Sequence, residues 1–454
     1  MIRRIGGLMD ESSWVYGTAL LMAGTFLVHL ATKKFDPFAP IWLFFVGYLQ
    51  IYVFQATSYH DWAVGARGVE LVAAANFRAF WALALFIGVY SFGPGRWIAG
   101  RLPNPPTRWS MPPVFGLCPI LVAWGLICSG FLLKNADAST VASAEAALFL
   151  SFPMVMLVAG TLLIVSGRQI AKPRPVLTAI GIAIVLAYLI IWMYNGKRSH
   201  SLVSVLVGVC SFYVPRMKRP SFPILVATAL AGMMAVGVSI GWRYHVNTNR
   251  SFGTFGTFVD FVTNFDPGTI LENINLKEKE GKDGASVSYE TEEWGAYLLM
   301  LDTVPEKADY DYGANYLRVF STFIPRLVWL DKPVYGRDQW IAAWVAGSER
   351  KRDNLFTGPA IGILGATQLN GGATGTVIVL TVIGMVLATT YHYFRLHADV
   401  IWVQACWPLW YYNAWFMTVN DDPCNWFYYN FGFTTLPTLM LLWFVNKSGG
   451  SVRP

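Results

Sequence analysis

The sequence predicts an all-α protein that crosses a membrane many times. Hydrophobic residues make up 55% of its 454 residues and charged residues only 13%, against about 25% charged in an average soluble domain. The mean hydropathy of +0.44 agrees with that deficit. Because a segment inside a bilayer must satisfy its own backbone hydrogen bonds, long apolar runs predict helices.

Eleven runs approach the roughly 20 apolar residues that a helix needs to cross the hydrocarbon core. They cover residues 14–31, 38–56, 72–93, 113–133, 145–166, 176–194, 200–214, 222–242, 373–394, 400–418 and 427–446, and the seventh is the shortest. This predicts three parts: transmembrane helices 1–8 (1–242), a large extracytoplasmic loop (243–372), and transmembrane helices 9–11 with a cytoplasmic tail (373–454).

The basic residues of alternate connections set the expected orientation. Twelve Lys and Arg residues lie in five alternate connections, accompanied only by Asp36 and Asp399. Because cytoplasmic loops carry the excess of Lys and Arg, those connections are predicted to face the cytoplasm. The N-terminus and the large loop then lie outside and the C-terminus inside, in the cytoplasmic (inner) membrane.

Charge and cysteine patterns exclude two kinds of partner. The net charge is +7, but the basic residues are dispersed through short loops, as membrane orientation requires, so nucleic acid is not expected as a partner. The five cysteines show neither a disulfide framework nor metal-ligand spacing. We therefore expect no cofactor and no metal.

The 243–372 loop is the only long polar segment of the chain. It holds 13 Lys and Arg, 17 Asp and Glu, and many aromatic residues. A disordered linker would be poor in aromatics, so the loop is predicted to fold as a cap with helical elements. Its Gly-rich end, residues 357–372, predicts a re-entrant or broken helix. The acidic cluster at 289–294 is interpreted as a solvated helix start rather than a catalytic base.

Two Arg/His pairs mark the outer ends of neighbouring predicted spans. Arg198 and His200 belong to a short outward turn that carries cations against the positive-inside bias, and Arg243 and His245 follow the eighth span. Guanidinium groups bind phosphate oxygens in a bidentate fork, so these residues could grip an anionic headgroup. Arg198 could equally snorkel to outer-leaflet phosphates. Either histidine could act as a general base or be a hydrogen-bonded structural residue.

A third basic segment lies inside the loop. Its core, residues 323–333, contains Arg326 and Lys332, each next to a proline, and Arg337 follows. Proline beside a basic residue fixes a turn and can aim the side chain. The alternative is an interfacial hairpin whose cations face lipid headgroups.

These features together resemble the Wzy-type oligosaccharide repeat-unit polymerases, relatives of the O-antigen ligases. The resemblance rests on many spans with one large outward loop, a Gly-Lys-Arg turn before a span, an Arg at the exit of the span before the loop, the Phe-Ile-Pro-Arg-Leu-Val-Trp-Leu-Asp-Lys-Pro segment, and a Gly-rich re-entry. It covers about residues 190–395, and the Pro-Arg-x-x-Trp-x-x-Lys-Pro core is its most specific part.

The resemblance implies a metal-independent glycosyltransferase with a lateral cleft under the loop. Such an enzyme joins polyprenyl-diphosphate-linked (undecaprenyl diphosphate) repeat units into O-antigen or exopolysaccharide at the outer face of the membrane, with a chain-length regulator and a flippase as further partners. The implied diphosphate-binding residues are Arg198, Arg243, Arg326, Arg337 and Lys332. His245 or His200 would take the acceptor proton.

Two alternatives remain open from the sequence. A ligase of the same superfamily would move finished polymer to a different acceptor. A transporter of the same lipid should show internal repeats and charged residues at mid-membrane. No repeat is evident, and Arg78 is the nearest exception to spans otherwise free of ionisable groups away from their ends.

Overall fold

The computed structural model describes residues 11–134, 152–249, 253–266, 268, 293–314, 316–317, 329, 360–419, 431–432 and 434–448. Within these ranges the chain forms helices, turns and short connections, with no strand. The prediction of an all-α protein is therefore confirmed for the described part of the chain.

Sixteen α-helical segments make up the described regions. They are α1 (Glu11–Ala31), α2 (Pro40–Ser58), α3 (His60–Arg67), α4 (Val69–Phe92), α5 (Gly95–Ala99), α6 (Met111–Lys134), α7 (Met154–Gly167), α8 (Pro175–Tyr194), α9 (Arg198–Tyr213), α10 (Phe222–Asn249), α11 (Phe255–Thr263), α12 (Glu293–Thr303), α13 (Gly362–Leu396), α14 (Ile401–Tyr411), α15 (Asn413–Val419) and α16 (Thr435–Ser448).

Seven of these helices are long and apolar enough to cross a membrane: α1, α2, α4, α6, α8, α10 and α13. They match seven of the eleven predicted runs, and the protein is a multi-pass membrane protein. The other four runs contain α7, α9, the α14–α15 pair and α16, whose described helices are 14, 16, 11, 7 and 14 residues long. These described helices are shorter than the roughly 20 residues that a spanning helix needs, so the predicted count of eleven spans is not confirmed.

The helices fall into two compact units. The first comprises Met1–Leu102, Leu276–Tyr393 and Asn413–Tyr428, and the second comprises Pro103–Asn275, Phe394–Tyr412 and Tyr429–Pro454. In the first unit α1 packs on α4, α15 packs on α2, and α12 packs on α4. The sequence-based boundaries at 242 and 372 follow hydropathy along the chain, whereas these units follow contacts in space.

Helix α13 in the first unit is broken. Its backbone leaves helical geometry at Gly371 (φ 162°, ψ 24°) and Gly372 (φ 63°, ψ −137°). Only glycine adopts the second conformation readily, which explains the glycine at position 372. The predicted break in the Gly-rich stretch is thus present. The half before the break packs against α12 through an apolar cluster of Ala296, Met300, Val304, Ile361, Ala366 and Leu369.

The second unit is built around α7, every residue of which is buried. A helix that is apolar on all sides belongs in a core. Its contact with α8 is close because two glycines face each other: a Cβ on Gly160 would lie 3.1 Å from the Gly181 carbonyl oxygen. Helices α6, α9, α14 and α16 also pack on α7.

Candidate functional site

The structure describes four of the seven predicted site residues. Arg198, His200, Arg243 and His245 all lie in the second unit, where α8, α9 and α10 meet. Arg326, Lys332 and Arg337 lie outside the described residues.

The turn that carries Arg198 is a helix C-cap. Helix α8 ends in a Schellman arrangement: the Gly196 N–H donates to the Met193 carbonyl and the Lys197 N–H donates to the Trp192 carbonyl, each at 3.0 Å. Gly196 supplies the left-handed residue with φ of 65°. Helix α9 then begins at Arg198, so the turn is short and its geometry is fixed.

This turn lies directly against Arg243 of α10. A Cβ placed on Gly196 would be 2.8 Å from the Arg243 Cβ and 3.4 Å from its Cα. The turn therefore leaves no room for a side chain between Gly196 and Arg243, at the point where α10 leaves its apolar segment. Arg198, which is half-buried, follows Gly196 by two residues, and the Arg243 side chain is exposed. The structure thus brings the two predicted arginine positions to one end of three helices.

Two hydrogen bonds hold the three helices in register at this end. The Trp242 indole Nε1–H donates to the Tyr194 carbonyl at 2.7 Å, which ties α10 to the last residue of α8. Ser201 and Ser239 pair through their hydroxyls at 2.9 Å, which ties α9 to α10. Because both bonds are buried or partly buried, they resist exchange with water and fix the spacing of the arginine backbones.

Helix α11 covers the same end of the second unit. Thr254 caps it by accepting the Thr257 N–H at 3.3 Å, and its Phe258 is buried against Val238 and Trp242. The described start of the predicted large loop therefore folds as a helix over the α8 and α10 ends. A Trp, a Tyr and several Phe side chains surround the site on this side.

Both histidines are held by aromatic stacking. The His200 ring lies 4.2 Å from the Trp192 ring at an interplanar angle of 22°, and the His245 ring lies 5.4 Å from the Trp242 ring at 19°. The His200 Nδ1 also forms a 3.2 Å hydrogen bond with the Ser199 hydroxyl. A stacked imidazole keeps a fixed ring plane, which suits an oriented proton acceptor or a structural residue. Burial, with Lys197 nearby, lowers the pKa of His200 to about 3, which makes this ring a weak proton acceptor.

The arrangement has a definite chemical capacity. Arg243 lies against Gly196 and Arg198 follows Gly196 by two residues, and guanidinium is the side chain that best matches the paired oxygens of a phosphate. Fixed cations stabilise negative charge that develops on a leaving oxygen, because they are already oriented when the charge forms. In the part of the chain that is described, no three His, Cys, Asp or Glu side chains gather as metal ligands do.

The first unit contains a second polar centre, around Arg78, which the sequence analysis did not predict as a site. Arg78 of α4 is 4% exposed, and its guanidinium donates to the Thr376 hydroxyl at 3.1 Å from Nε and 2.6 Å from Nη2, and to the Gln368 side-chain oxygen from Nη1. Gln368 and Thr376 stand on opposite sides of the α13 break. The sequence signal was Arg78 itself, an ionisable residue inside a span.

Of the acidic cluster at 289–294, the structure describes only Glu293 and Trp294. Glu293, the first residue of α12, is 4% exposed rather than solvated. The Gln55 side chain of α2 donates Nε2–H to Glu293 Oε2 at 2.6 Å and accepts the Trp294 N–H at 3.0 Å. Gln55 ends a π-helical turn, Gln50–Gln55, a distortion that is frequent at functional positions. The helix start was predicted, but its burial was not.

No family model matches this chain, and no curated protein or solved structure matches it.

Proposed function

We propose that this protein is a membrane glycosyltransferase that polymerises polyprenyl-diphosphate-linked oligosaccharide repeat units into O-antigen or exopolysaccharide at the outer face of the cytoplasmic membrane. The growing glycan on one lipid diphosphate is transferred to the non-reducing end of another repeat unit. The observation that carries the proposal is the packing of the Gly196 turn against Arg243, which puts Arg198 and Arg243 at one helical end.

The chemistry requires stabilisation of a departing diphosphate. A hydroxyl of the acceptor sugar attacks the anomeric carbon of the donor glycan, the bond from that carbon to the diphosphate oxygen breaks, and its electron pair stays on that oxygen. Arg198 and Arg243 hold the diphosphate and offset the new charge. His245 or His200 takes the hydroxyl proton. In this proposal Arg326, Lys332 and Arg337 complete the cationic surface from the loop.

The experiment is chain lengthening by purified protein in lipid, with a fluorescent polyprenyl-diphosphate repeat unit as the substrate. Arg198→Ala and Arg243→Ala are each expected to reduce lengthening by at least about 100-fold, the size seen when one preorganised donor to a developing charge is removed. Arg219→Ala is the matched control, because Arg219 is an exposed arginine just before α10, at the opposite end from Arg243. Wild-type polymer from both site variants would refute the proposal.

One observation favours a transporter of the same lipid as a second candidate. Transporters use broken helices and buried charges near mid-membrane, and Arg78 contacts both flanks of the α13 break. The two candidates separate in reconstituted vesicles. A transporter moves labelled lipid-linked repeat units across the bilayer without lengthening them, and a polymerase lengthens them when they are supplied on the outer side only.

A further inference from the structure

The first unit contains a cation at a depth where cations are costly. Arg78 is the tenth of 24 residues in α4, which places it about 13 Å along the helix from Val69. Its side chain is buried. Charged residues within spans are rare, and they mark binding or transport positions when they occur.

The hydrogen-bonding capacity of Arg78 is only partly used by the described residues. A guanidinium has five N–H donors. Among the described residues, the Nε–H and one N–H of Nη2 go to Thr376 and one N–H of Nη1 goes to Gln368. The second N–H of each terminal nitrogen has no acceptor there. These two donors belong to different terminal nitrogens, the pair that an oxyanion accepts in a bidentate fork.

The charge of Arg78 also has no counter-ion among the described residues. Its titratable neighbours are four tyrosines, Tyr297, Tyr310, Tyr48 and Tyr52, and no carboxylate of the described residues is among them. Elsewhere in the first unit, Asp302 does pair with cations, with Arg67 at 3.2 Å and with Lys307 at 3.0 Å. A buried cation without a paired anion is unfavourable, so the environment of Arg78 is suited to an anion that comes from elsewhere.

The break in α13 adds positive potential at the same place. Thr376 lies in the first turn after Gly372, so Arg78 contacts the N-terminal end of a half-helix, where the helix dipole is positive. The carbonyl end of the preceding half is occupied by other donors: the Leu369 carbonyl accepts the Asp311 N–H at 2.8 Å. The Ala366 carbonyl accepts from the Asn370 side chain, also at 2.8 Å. Half-helix N-termini inside membranes are a known arrangement for receiving anionic groups.

We propose that Arg78 and the start of the second half of α13 form a binding site for a phosphate-type oxyanion. The ligand is a phosphate or diphosphate group, carried by a lipid or free. The site lies in the first unit, whereas Arg198 and Arg243 lie in the second. It therefore holds whether the protein is a polymerase or a transporter, and it does not depend on the proposed function.

The test must separate this site from Arg198 and Arg243. Binding of farnesyl diphosphate, inorganic diphosphate and farnesol is measured by isothermal titration on the full chain in nanodiscs, in an Arg198→Gln, Arg243→Gln background. Adding Arg78→Gln is expected to weaken diphosphate binding at least about tenfold, the effect of losing a charge-assisted fork. Adding Arg67→Gln is the matched control, because Arg67 is a partly exposed arginine of the same unit paired with Asp302.

Comparison of farnesyl diphosphate with inorganic diphosphate identifies the source of the anion. Farnesyl diphosphate that binds while inorganic diphosphate does not indicates a lipid-borne group, and equal binding of the two indicates a free anion. Either result supports the site if Arg78→Gln weakens the binding of diphosphate and Arg67→Gln does not. No diphosphate binding in the double-variant background, or equal binding with and without Arg78→Gln, would overturn the inference.

A second variant covers the case in which Arg78→Gln does not fold. Arg78→Lys keeps the charge but cannot form the fork, so it is expected to bind diphosphate more weakly than arginine while remaining folded. Saturating diphosphate should raise the melting temperature of the double-variant background more than that of the same protein with Arg78→Lys. Equal increases in the two proteins would refute a role for the guanidinium.

Discussion

Replacing Gly196 with alanine perturbs the contact on which the proposed site depends. The residue has φ of 65°, and alanine in that left-handed conformation costs about 1–2 kcal/mol. The new Cβ would also lie 2.8 Å from the Arg243 Cβ, and overpacking of this kind costs about 1–3 kcal/mol. The combined cost is about 2–5 kcal/mol, and it is relieved only if the turn and Arg243 move apart.

The measurements are the melting temperature of the purified protein and the chain-lengthening activity. At about 1 °C per kcal/mol for a chain of 454 residues, Gly196→Ala should lower the melting temperature by at least about 2 °C. Activity should fall at least about tenfold, because displacement of one arginine backbone misplaces its guanidinium relative to the other. Both effects follow from the same displacement, so they should appear together.

Two variants isolate the cause. Gly116→Ala in α6 is the control, since a Cβ there meets no atom within 4 Å and alanine is the better helix former, so its melting temperature should not fall. Gly196→Asn carries the same Cβ but tolerates the left-handed conformation, so its deficit measures the clash alone. Wild-type stability and activity in Gly196→Ala would show that the packing of Gly196 against Arg243 contributes neither to stability nor to activity.

Two other contacts give predictions of the same kind. Trp242→Phe removes the indole donor to the Tyr194 carbonyl, and we expect a loss of about 1 kcal/mol with reduced chain lengthening; an unchanged melting temperature would contradict the assigned role of this bond. Gln55→Leu leaves the buried Glu293 carboxylate without its amide donor and the Trp294 N–H without its acceptor, and we expect a loss of about 2–5 kcal/mol. A variant as stable as wild type in thermal unfolding would show that these two hydrogen bonds of Gln55 do not stabilise the fold.

Local features of the site could be predicted from the sequence because they depend on neighbouring residues. The glycine after α8 provides the left-handed C-cap, and the glycine pair in α13 provides the break. The arginine positions at Arg198 and Arg243 follow from where two apolar runs end. Each of these inferences needs only residue type and short-range order.

The span count shows where hydropathy is less informative. The run 400–418 is mostly apolar, yet the structure divides it into α14 and α15 at Tyr412. In the described part of the run 145–166, Pro153 precedes the first residue of α7, Met154. Average hydropathy measures how apolar a segment is and does not register where its helical hydrogen bonds are interrupted.

Long-range partners could not be predicted. Arg78 forms hydrogen bonds with Gln368 and Thr376, which lie 290 and 298 residues further along the chain. Gln55 forms a hydrogen bond with Glu293, which lies 238 residues further along. The burial of Glu293 depends on α2, which no local pattern near the acidic cluster indicates. The presence of Arg78 within a span was evident in the sequence, but its position beside a broken helix required the fold.

The complete enclosure of α7 has a consequence for biosynthesis. Helices α14 and α16 pack on α7, but they are synthesised more than 230 residues after it. A nascent chain that has reached only α10 therefore leaves part of the α7 surface in contact with lipid or insertion machinery. The second unit closes late, when its last helices arrive, so this protein should be more vulnerable to membrane quality control during translation than one whose central helix is enclosed by its immediate neighbours.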